Sequence, residues 1–538
     1  MTVARVSRRT QLGSARATLL IFAAVAAGAV IVQADPPPPT LWTRQTGTST
    51  FERAEAVAVD GSGNIYITGD TYGPLGGPNQ GLTDAFLVKY DGSGALVWAR
   101  QTGSIVHDRS RGIAIDGAGS SYIAGWTEGD LGGPNQGESD AFIVKHDANG
   151  TLQWARQVGS SPGLLQDDWA HAVAVDAAGN SYSAGYTYGD LGAPSVGSSD
   201  AFVVACDSGG TVQWTQQIGT PSQDRGRGIA IDGSGNVYLA GYTGGDLGGP
   251  SQYNDDAFVV KYDNGGTVQW ARQIGSSEYD SAVGIAADAS GNTFITGYTD
   301  GDLAGPNQGG ADAFVAMFDS SGTLQWTRQI GSGHVDRAHG IAIDGSGNVY
   351  ITGYTYGELG GPGHGLADAF IVAYDTSGAV RWTRQMGTPY NDYAYGIAID
   401  DGGTIYVTGY TDGDLGGPNQ GCTDVFVAAI ASYPATAGDA NLDGCVDGLD
   451  YVIWSSNYDS LAGGKTWQHA DFNEDQSVDG LDYILWSSNY LQGCPASPGA
   501  VPEPCSGLLL VAGSWAVVRR RRCRKHLLPG GRRMWGER

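Results

Sequence analysis

The chain has 538 residues, 86 glycines, six cysteines and a formal charge of −26 at pH 7. Its basic residues gather at the ends, four arginines within residues 1–34 and nine Arg or Lys against Glu537 within 519–538, so the body between is more acidic than the total. Such a body repels nucleic acid and anionic lipid headgroups, and the scattered cysteines (Cys206, Cys422, Cys445, Cys494, Cys505, Cys523) exclude a disulfide framework or a zinc site.

Residues 1–34 read as an export signal: Arg5, Arg8, Arg9 and Arg16, then an apolar run from Ala17 to Val32, then Val32-Gln33-Ala34 as a small-residue cleavage site. Ser7-Arg8-Arg9-Thr10-Gln11-Leu12 is also similar to a twin-arginine signal without its aromatic, so the general and twin-arginine routes both stay open. Residues 35–40 form a proline-rich spacer, stiffened by Pro36 to Pro39.

From 41 to 432 one pattern recurs. The Asp of Asp-Ala-Phe falls at Asp84, Asp140, Asp200, Asp256, Asp312, Asp368 and Asp424, and Trp42, Trp98, Trp154, Trp214, Trp270, Trp326 and Trp382 keep the same beat of 56 residues with one step of 60. A period of that length signals a propeller or array. In the second copy Gly112 to Asp116, Tyr122 to Thr127, Ala141 to His146 and Leu152 to Gln157 read as four short strands, with Asp-Gly-Ser-Gly turns such as Asp60 to Asn64 and Asp91 to Gly94 between strands. The expected fold is therefore all-β, a seven-bladed β-propeller with four strands per blade. The chain opens with a lone tryptophan strand, Leu41 to Gln45, and the last unit stops after its third strand, Asp424 to Ile430. If Gly-Ile-Ala-Ile-Asp is innermost, the opening strand completes the last blade and covers its free edge.

Gly-Asn-Val-Tyr-Ile-Thr-Gly-Tyr-Thr (Gly347 to Thr355) with Asp-Ala-Phe-Ile-Val resembles the SBBP repeat, a β-propeller repeat of bacterial exported proteins, through all seven copies. The resemblance implies a fold and an exported setting, and no activity. Tight turns after the first and third strands share one face, and long loops such as Gly129 to Gly137 share the other, where a binding site is expected. That face holds one acid per repeat, eight residues before the strand-ending Asp: Glu52, Asp108, Asp168, Asp224, Asp280, Asp336 and Asp392. An anionic ring that binds a cation or polyhydroxy ligand is one reading; seven loop-capping acids are the other, and the simpler. Their varied neighbours are better site candidates: His107 and Arg109, Trp169 and His171, Arg225 and Arg227, Glu278 and Tyr279, His334 and Arg337, Tyr390 and Tyr393. Eight scattered histidines, and no H-E-x-x-H, Gly-x-Ser-x-Gly or P-loop, point to a binding or structural protein and not an enzyme.

After a linker at 433–438, the segment 439–494 carries two loops of oxygen donors. Asp439, Asn441, Asp443, Cys445 (through its carbonyl), Asp447 and Asp450 stand at positions 1, 3, 5, 7, 9 and 12 of the first, with Gly444 at the sharp turn, and Asp471, Asn473, Asp475, Ser477, Asp479 and Asp482 repeat the order thirty-two residues later. This is the donor set of a hard cation, Ca²⁺, with two sites, the second weakened by Gln476 in place of glycine. Each loop feeds a helix, Leu449 to Tyr458 and Leu481 to Tyr490, with Trp454 and Trp486 as core, and Cys445 and Cys494 bracket the module as a candidate bridge. The duplicated pair resembles a type I dockerin, which implies a cohesin-like or other surface protein as partner; Gly448, Leu449, Gly480 and Leu481 replace the hydroxyl pair that dockerins present to cohesin.

Past a linker at 495–500, residues 501–525 hold Val501-Pro502-Glu503-Pro504, an apolar stretch from Cys505 to Val518 and Arg519 to Arg522, before a tail at 526–538. This order resembles the PEP-CTERM sorting signal, implying delivery to the cell envelope or extracellular matrix. The alternative is a short membrane anchor that stays, although 14 residues fall short of a bilayer span. The whole chain reads as an exported scaffold or binding protein; the second reading is a component of polysaccharide binding or degradation.

Overall fold

The repeat folds as a four-stranded antiparallel sheet, out of step with the sequence by one strand. The computed structural model describes residues 37–160, 166–431, 446, 448–458, 470, 472, 478 and 480–490. After β1 (Thr40–Thr46) the first blade runs β2 (Glu52–Val59), β3 (Ile65–Thr71), β4 (Asp84–Tyr90) and β5 (Leu96–Thr102), paired in that order from the axis outward. Five more sheets repeat it, and the seventh joins Asp392–Ile399, Ile405–Thr411 and Asp424–Ile430 to β1. The seven-bladed propeller and the closure expected from the sequence are both present: Arg44 stands opposite Val427 and Gln45 opposite Phe426.

The hydrophobic core lies between blades. β3 and β4 are buried at every residue because each face meets a neighbouring blade. One cluster holds Val57, Ile67, Phe86 and Val88 of the first blade with Tyr406, Val425 and Val427 of the seventh and Trp42 of β1. The outer-strand motif links each blade to the next. The Trp42 indole donates to the Gly92 carbonyl (3.3 Å) and Arg44 Nε to the Gly94 carbonyl (3.0 Å), and Trp154, Trp214 and Trp270 make the equivalent bond one blade on.

The short face is made of Asp turns. Asp60 Oδ1 accepts the backbone N–H of Ser62 (2.9 Å) and Asn64 (3.0 Å), and Gly63 takes φ 75°, a conformation that favours glycine.

Two helices follow the propeller, α1 (Gly448–Asn457) and α2 (Gly480–Asn489), each starting and ending one residue earlier than the sequence suggests. They meet through aromatic rings, Tyr451 with Trp486 and Trp454 with Tyr483, both at 5.1 Å, which is the core role expected of the tryptophans. No helix among the described residues is long and apolar enough to cross a membrane. The proposed export signal (1–34), the sorting segment (501–525), the tail and the Cys445–Cys494 pair lie outside the described residues.

Candidate functional site

Each inner strand begins four residues before the Gly-Ile-Ala-Ile-Asp run, as in Asp108–Ile115, and its first residue is the recurring acid. All seven of these acids are fully buried. They cap the loop arriving from the preceding blade: Asp108 Oδ2 accepts from the Ser104 amide (2.5 Å) and hydroxyl (2.8 Å), Asp224 from Thr220 (2.6 and 2.9 Å), and Asp336 from Ser332 (2.6 and 2.8 Å). The ring of acids is thus a ring of buried loop caps.

These caps and the turn acids give stability opposite pH dependences. Burial raises Asp60, Asp232 and Asp344, but hydrogen bonds from the asparagine four residues on and from backbone N–H groups outweigh it and hold them below 3.8; their contribution is present above 3.8 and lost as pH falls through the folded value. Burial lifts Asp108, Asp168, Asp224, Asp280 and Asp392 above 3.8, so their contribution is complete below 3.8 and lost as pH rises through the folded value. Repulsion at a net −26 acts in the same direction as this second set. The melting temperature is expected to rise from pH 7 into mild acid and to fall again below about pH 4. Calorimetry across that range checks it, and a melting temperature climbing steadily from mild acid to neutrality would contradict it.

Three residues beyond each acid the inner strand bulges. Ala54 pairs with Gly69 and Ala56 with Thr68, leaving Glu55 without a partner, and the register slips at the same place in every blade. A bulge re-aims the extra side chain. The seven bulged residues, Glu55, Arg111, His171, Arg227, Val283, His339 and Tyr395, all line one axial channel of about 490 Å³. The next residue is Gly in five blades and Ala in two because the inner strands crowd there: a Cβ on Gly112 would lie 2.7 Å from Ala172 Cα, and on Gly396 2.8 Å from Val57 N. One step further along, Val57, Ile113, Val173, Ile229, Ile285, Ile341 and Ile397 add an aliphatic ring to the lining.

The scaffold is sevenfold, but the bulged ring is not. Glu55 and Arg111 form an ion pair, with burial raising the Glu55 carboxyl against the pull of Arg111. Arg227 donates toward the His171 ring (3.3 Å to Nε2). Burial, then Arg227, Arg111 and Arg225, hold His171 well below its ordinary range, and burial with Arg337 and Arg227 pushes His339 down to about 3. Both imidazoles are neutral at physiological pH. Toward the long-loop mouth, arginines lie on aromatic faces: Arg109 on Trp126 (5.4 Å), Arg225 on Tyr186 (4.4 Å) and Arg337 on Tyr298 (4.3 Å). Trp126 stacks on Trp169 at 5.1 Å, and the Tyr356 and Tyr393 hydroxyls share a hydrogen bond of 2.8 Å.

Of the varied neighbours named from sequence, Trp169, His171, Arg227 and Arg337 line the channel, while Arg109, Arg225 and Tyr393 belong to its mouth. His107 is tied to Thr83 (2.9 Å), and Glu278, Tyr279, His334 and Tyr390 are exposed in loops. Glu55, Arg111, His339 and Tyr395 escape the sequence reading, although each sits a whole number of repeats from His171 and Arg227. Of the proposed calcium ligands, Asp450 and Asp482 are buried in the first turns of α1 and α2, and Asp482 Oδ1 accepts the Phe472 amide (2.7 Å). Asp439, Asn441, Asp443, Cys445, Asp447, Asp471, Asn473, Asp475, Ser477 and Asp479 lie outside the described residues.

A family model described as a β-propeller repeat, SBBP, matches at residues 41–76, 97–132, 153–192, 213–248, 269–304, 325–360 and 381–416, each match running from an outer strand into the next blade. The regulatory protein FlaEY of Caulobacter vibrioides is 26% identical over 396 residues, 63% of this chain and 40% of that protein. An uncharacterized WD repeat-containing protein of Acanthamoeba polyphaga mimivirus is 24% identical over 262 residues, 37% of this chain and 19% of that protein. The chain therefore spans less than half the length of either relative. Among solved structures, the Pan2 WD40 domain of Neurospora crassa aligns with a TM-score of 0.40 at 9% identity, over 71% of this chain and 91% of that one. A protein of unknown function from Bacteroides caccae aligns with a TM-score of 0.34 at 12% identity, over 57% and 92%.

Proposed function

Because the chain is a β-propeller of SBBP repeats, we propose that it serves as an exported scaffold at the cell envelope or in the extracellular matrix, binding a partner on the long-loop face of the propeller and attaching through the calcium loops of residues 439–494. The observation that carries this reading is where exposed aromatic rings lie. Phe51, Tyr72, Tyr253, Tyr279, Tyr356 and Tyr390, the exposed aromatics among the described propeller residues, all belong to long loops. Aromatic rings are enriched where proteins meet partners. The face acts as a binder and not as a catalyst, and the dockerin-like segment, with Ca²⁺ on both loops, joins the chain to a cohesin-like or other surface protein.

Tyr253 is the sharpest of these groups. The equivalent position is glycine in the other six blades (Gly81, Gly137, Gly197, Gly309, Gly365, Gly421), yet here a tyrosine stands at φ 103° with 92% of its surface exposed. A side chain held in a strained conformation and left in solvent fits a role outside the fold. Polysaccharide is the second reading of the partner, favoured by the same exposed rings, which offer flat apolar faces to sugars.

The test uses the full chain to capture partners from the parent cell surface and from a panel of polysaccharides, with calcium or with chelator. Tyr253→Gly is expected to leave the melting temperature equal or higher, since it relieves strain, while capture on the propeller falls severalfold; chelator is expected to abolish attachment through the C-terminal module alone. Capture unchanged in Tyr253→Gly and in Tyr390→Ala would overturn the platform reading, and reducing ends released from polysaccharide by the propeller would overturn the non-enzyme reading.

A further inference from the structure

The channel beneath that face has a charge imbalance that the fold does not resolve. Of its charged lining residues, Glu55 is occupied by Arg111, whereas no carboxylate among the described residues forms an ion pair with Arg227 or Arg337. Arg227 has a neutral imidazole and aromatic faces as neighbours, with Tyr242 at 5.6 Å. Arg337 shares an adjoining hollow with Asp255, Asp280 and Asp300; Asp255 accepts both contacts of the Gln223 amide (3.0 and 2.8 Å), Asp280 caps Ser276 (2.5 Å), and Asp300 makes no ion pair. Arg337 Nε and His339 Nε2 are buried without a hydrogen-bond partner. Buried polar atoms without partners and half-buried charges without counter-charges are costly, and proteins rarely keep them unless something else completes them. In a chain of net charge −26, a channel that gathers arginines is placed against the overall field.

We propose that the axial channel is a binding site for a small organic carboxylate, its oxygens held by Arg227, Arg337 and His339 Nε2. A guanidinium matches a planar carboxylate through paired N–H donors, and a neutral imidazole protonated at Nε2 adds a further donor. The surroundings select an organic acid over a bare inorganic anion: the aliphatic ring of Val57, Ile113 and their equivalents lines the channel together with Trp169, Tyr298 and Tyr395. About 490 Å³ is the size of a small-molecule site. The bulge is what makes the site possible, since it frees one position per blade from the ladder and allows the residue there to vary without disturbing the ring. The carboxylate could come from a free acid or from an acidic sugar, and the two sources are separable by experiment.

Titration calorimetry of the full chain in a chloride-poor buffer, with benzoate, glucuronate, glucose and inorganic phosphate as probes, tests the site. Binding of benzoate or glucuronate with none of glucose is expected, benzoate alone pointing to a free acid and glucuronate to an acidic sugar. Arg227→Gln is expected to weaken that binding at least about tenfold, the loss of a charge-assisted contact. Without ligand, Arg227→Met is expected to melt at or above the wild-type temperature, because it removes an uncompensated charge; a structural arginine would behave in the opposite way. No carboxylate binding, equal binding in Arg227→Gln, or phosphate bound as tightly as either acid would overturn the proposal. It does not rest on the platform reading: Tyr253→Gly, in an outer loop, is expected to keep carboxylate binding whether or not it alters partner capture.

Discussion

Gly353→Ala is expected to unfold a blade. A Cβ there would lie 1.9 Å from the Arg337 carbonyl oxygen and 2.8 Å from Ala338 Cα, both backbone atoms of the inner strand. Neither strand can yield, since Ala338 pairs directly with Gly353 just before the bulge, and the inner strand packs against the inner strands of the blades on both sides. The same contact, 1.8 to 1.9 Å, recurs at Gly69, Gly125, Gly185, Gly241, Gly297 and Gly409, which gives the Thr-Gly-Tyr step of the repeat its physical reason: the glycine makes room for the bulge. Overlap of this depth with main chain belongs to the exceptional class of substitutions, on the order of 4 kcal/mol. Gly345→Ala, with nothing within 4 Å of the added atom, is the control and is expected to change stability by less than about 0.5 kcal/mol. Urea melts of both variants decide it, and two identical curves would remove the bulge from the account of the fold.

The second large effect is expected on deleting residues 37–46. β1 supplies the outer strand of the last blade, Trp42 sinks into the cluster shared by the first and seventh blades, and the Gln45 amide donates to Asp424 Oδ2 (3.0 Å) and the Gly413 carbonyl (2.9 Å). Loss of Trp42 alone is a large-to-small core change worth about 3–5 kcal/mol, and loss of the whole strand also bares the edge of Asp424–Ile430 to pairing with other chains. The truncated protein is expected to aggregate or melt far below wild type, and a synthetic peptide of residues 37–47 is expected to restore a monomeric elution volume. A truncated chain that elutes and melts as the wild type does would show that the ring is held by blade contacts without its closing strand.

The sequence discloses the architecture because the repeat averages out local ambiguity: one Trp-Ala-Arg-Gln or Asp-Gly-Ser-Gly is a weak signal, but seven in phase define strand number, turn face and the odd strand left at each end. The ring of capping acids is legible as scaffold for the same reason, since an acid at one position in all seven copies is what a symmetric frame requires. The channel is harder to read. A bulge has no residue signature of its own; it consists here of an extra position between Ala54 and Ala56 and a glycine across from it, and neither stands out in a chain so rich in small residues. Its seven occupants share no chemistry, so pattern matching passes over Glu55, Arg111, His339 and Tyr395 while finding His171 and Arg227 beside the acids. Counting whole periods from Arg227 in both directions reaches every one of them.

The seam between β1 and Asp424–Ile430 joins groups 379 residues apart in the chain, as in the Gln45 to Asp424 bond. At the usual pace of synthesis, roughly 5–20 residues per second, the first strand waits tens of seconds for its partner to exist. Ring completion is therefore the last step of propeller folding, and until then the propeller is an open arc with one orphan ribbon. That ribbon sets Leu41 and Trp42 ahead of Thr43, Arg44, Gln45 and Thr46, polar enough to stay unaggregated during the delay and apolar enough to dock once Val425 and Val427 arrive.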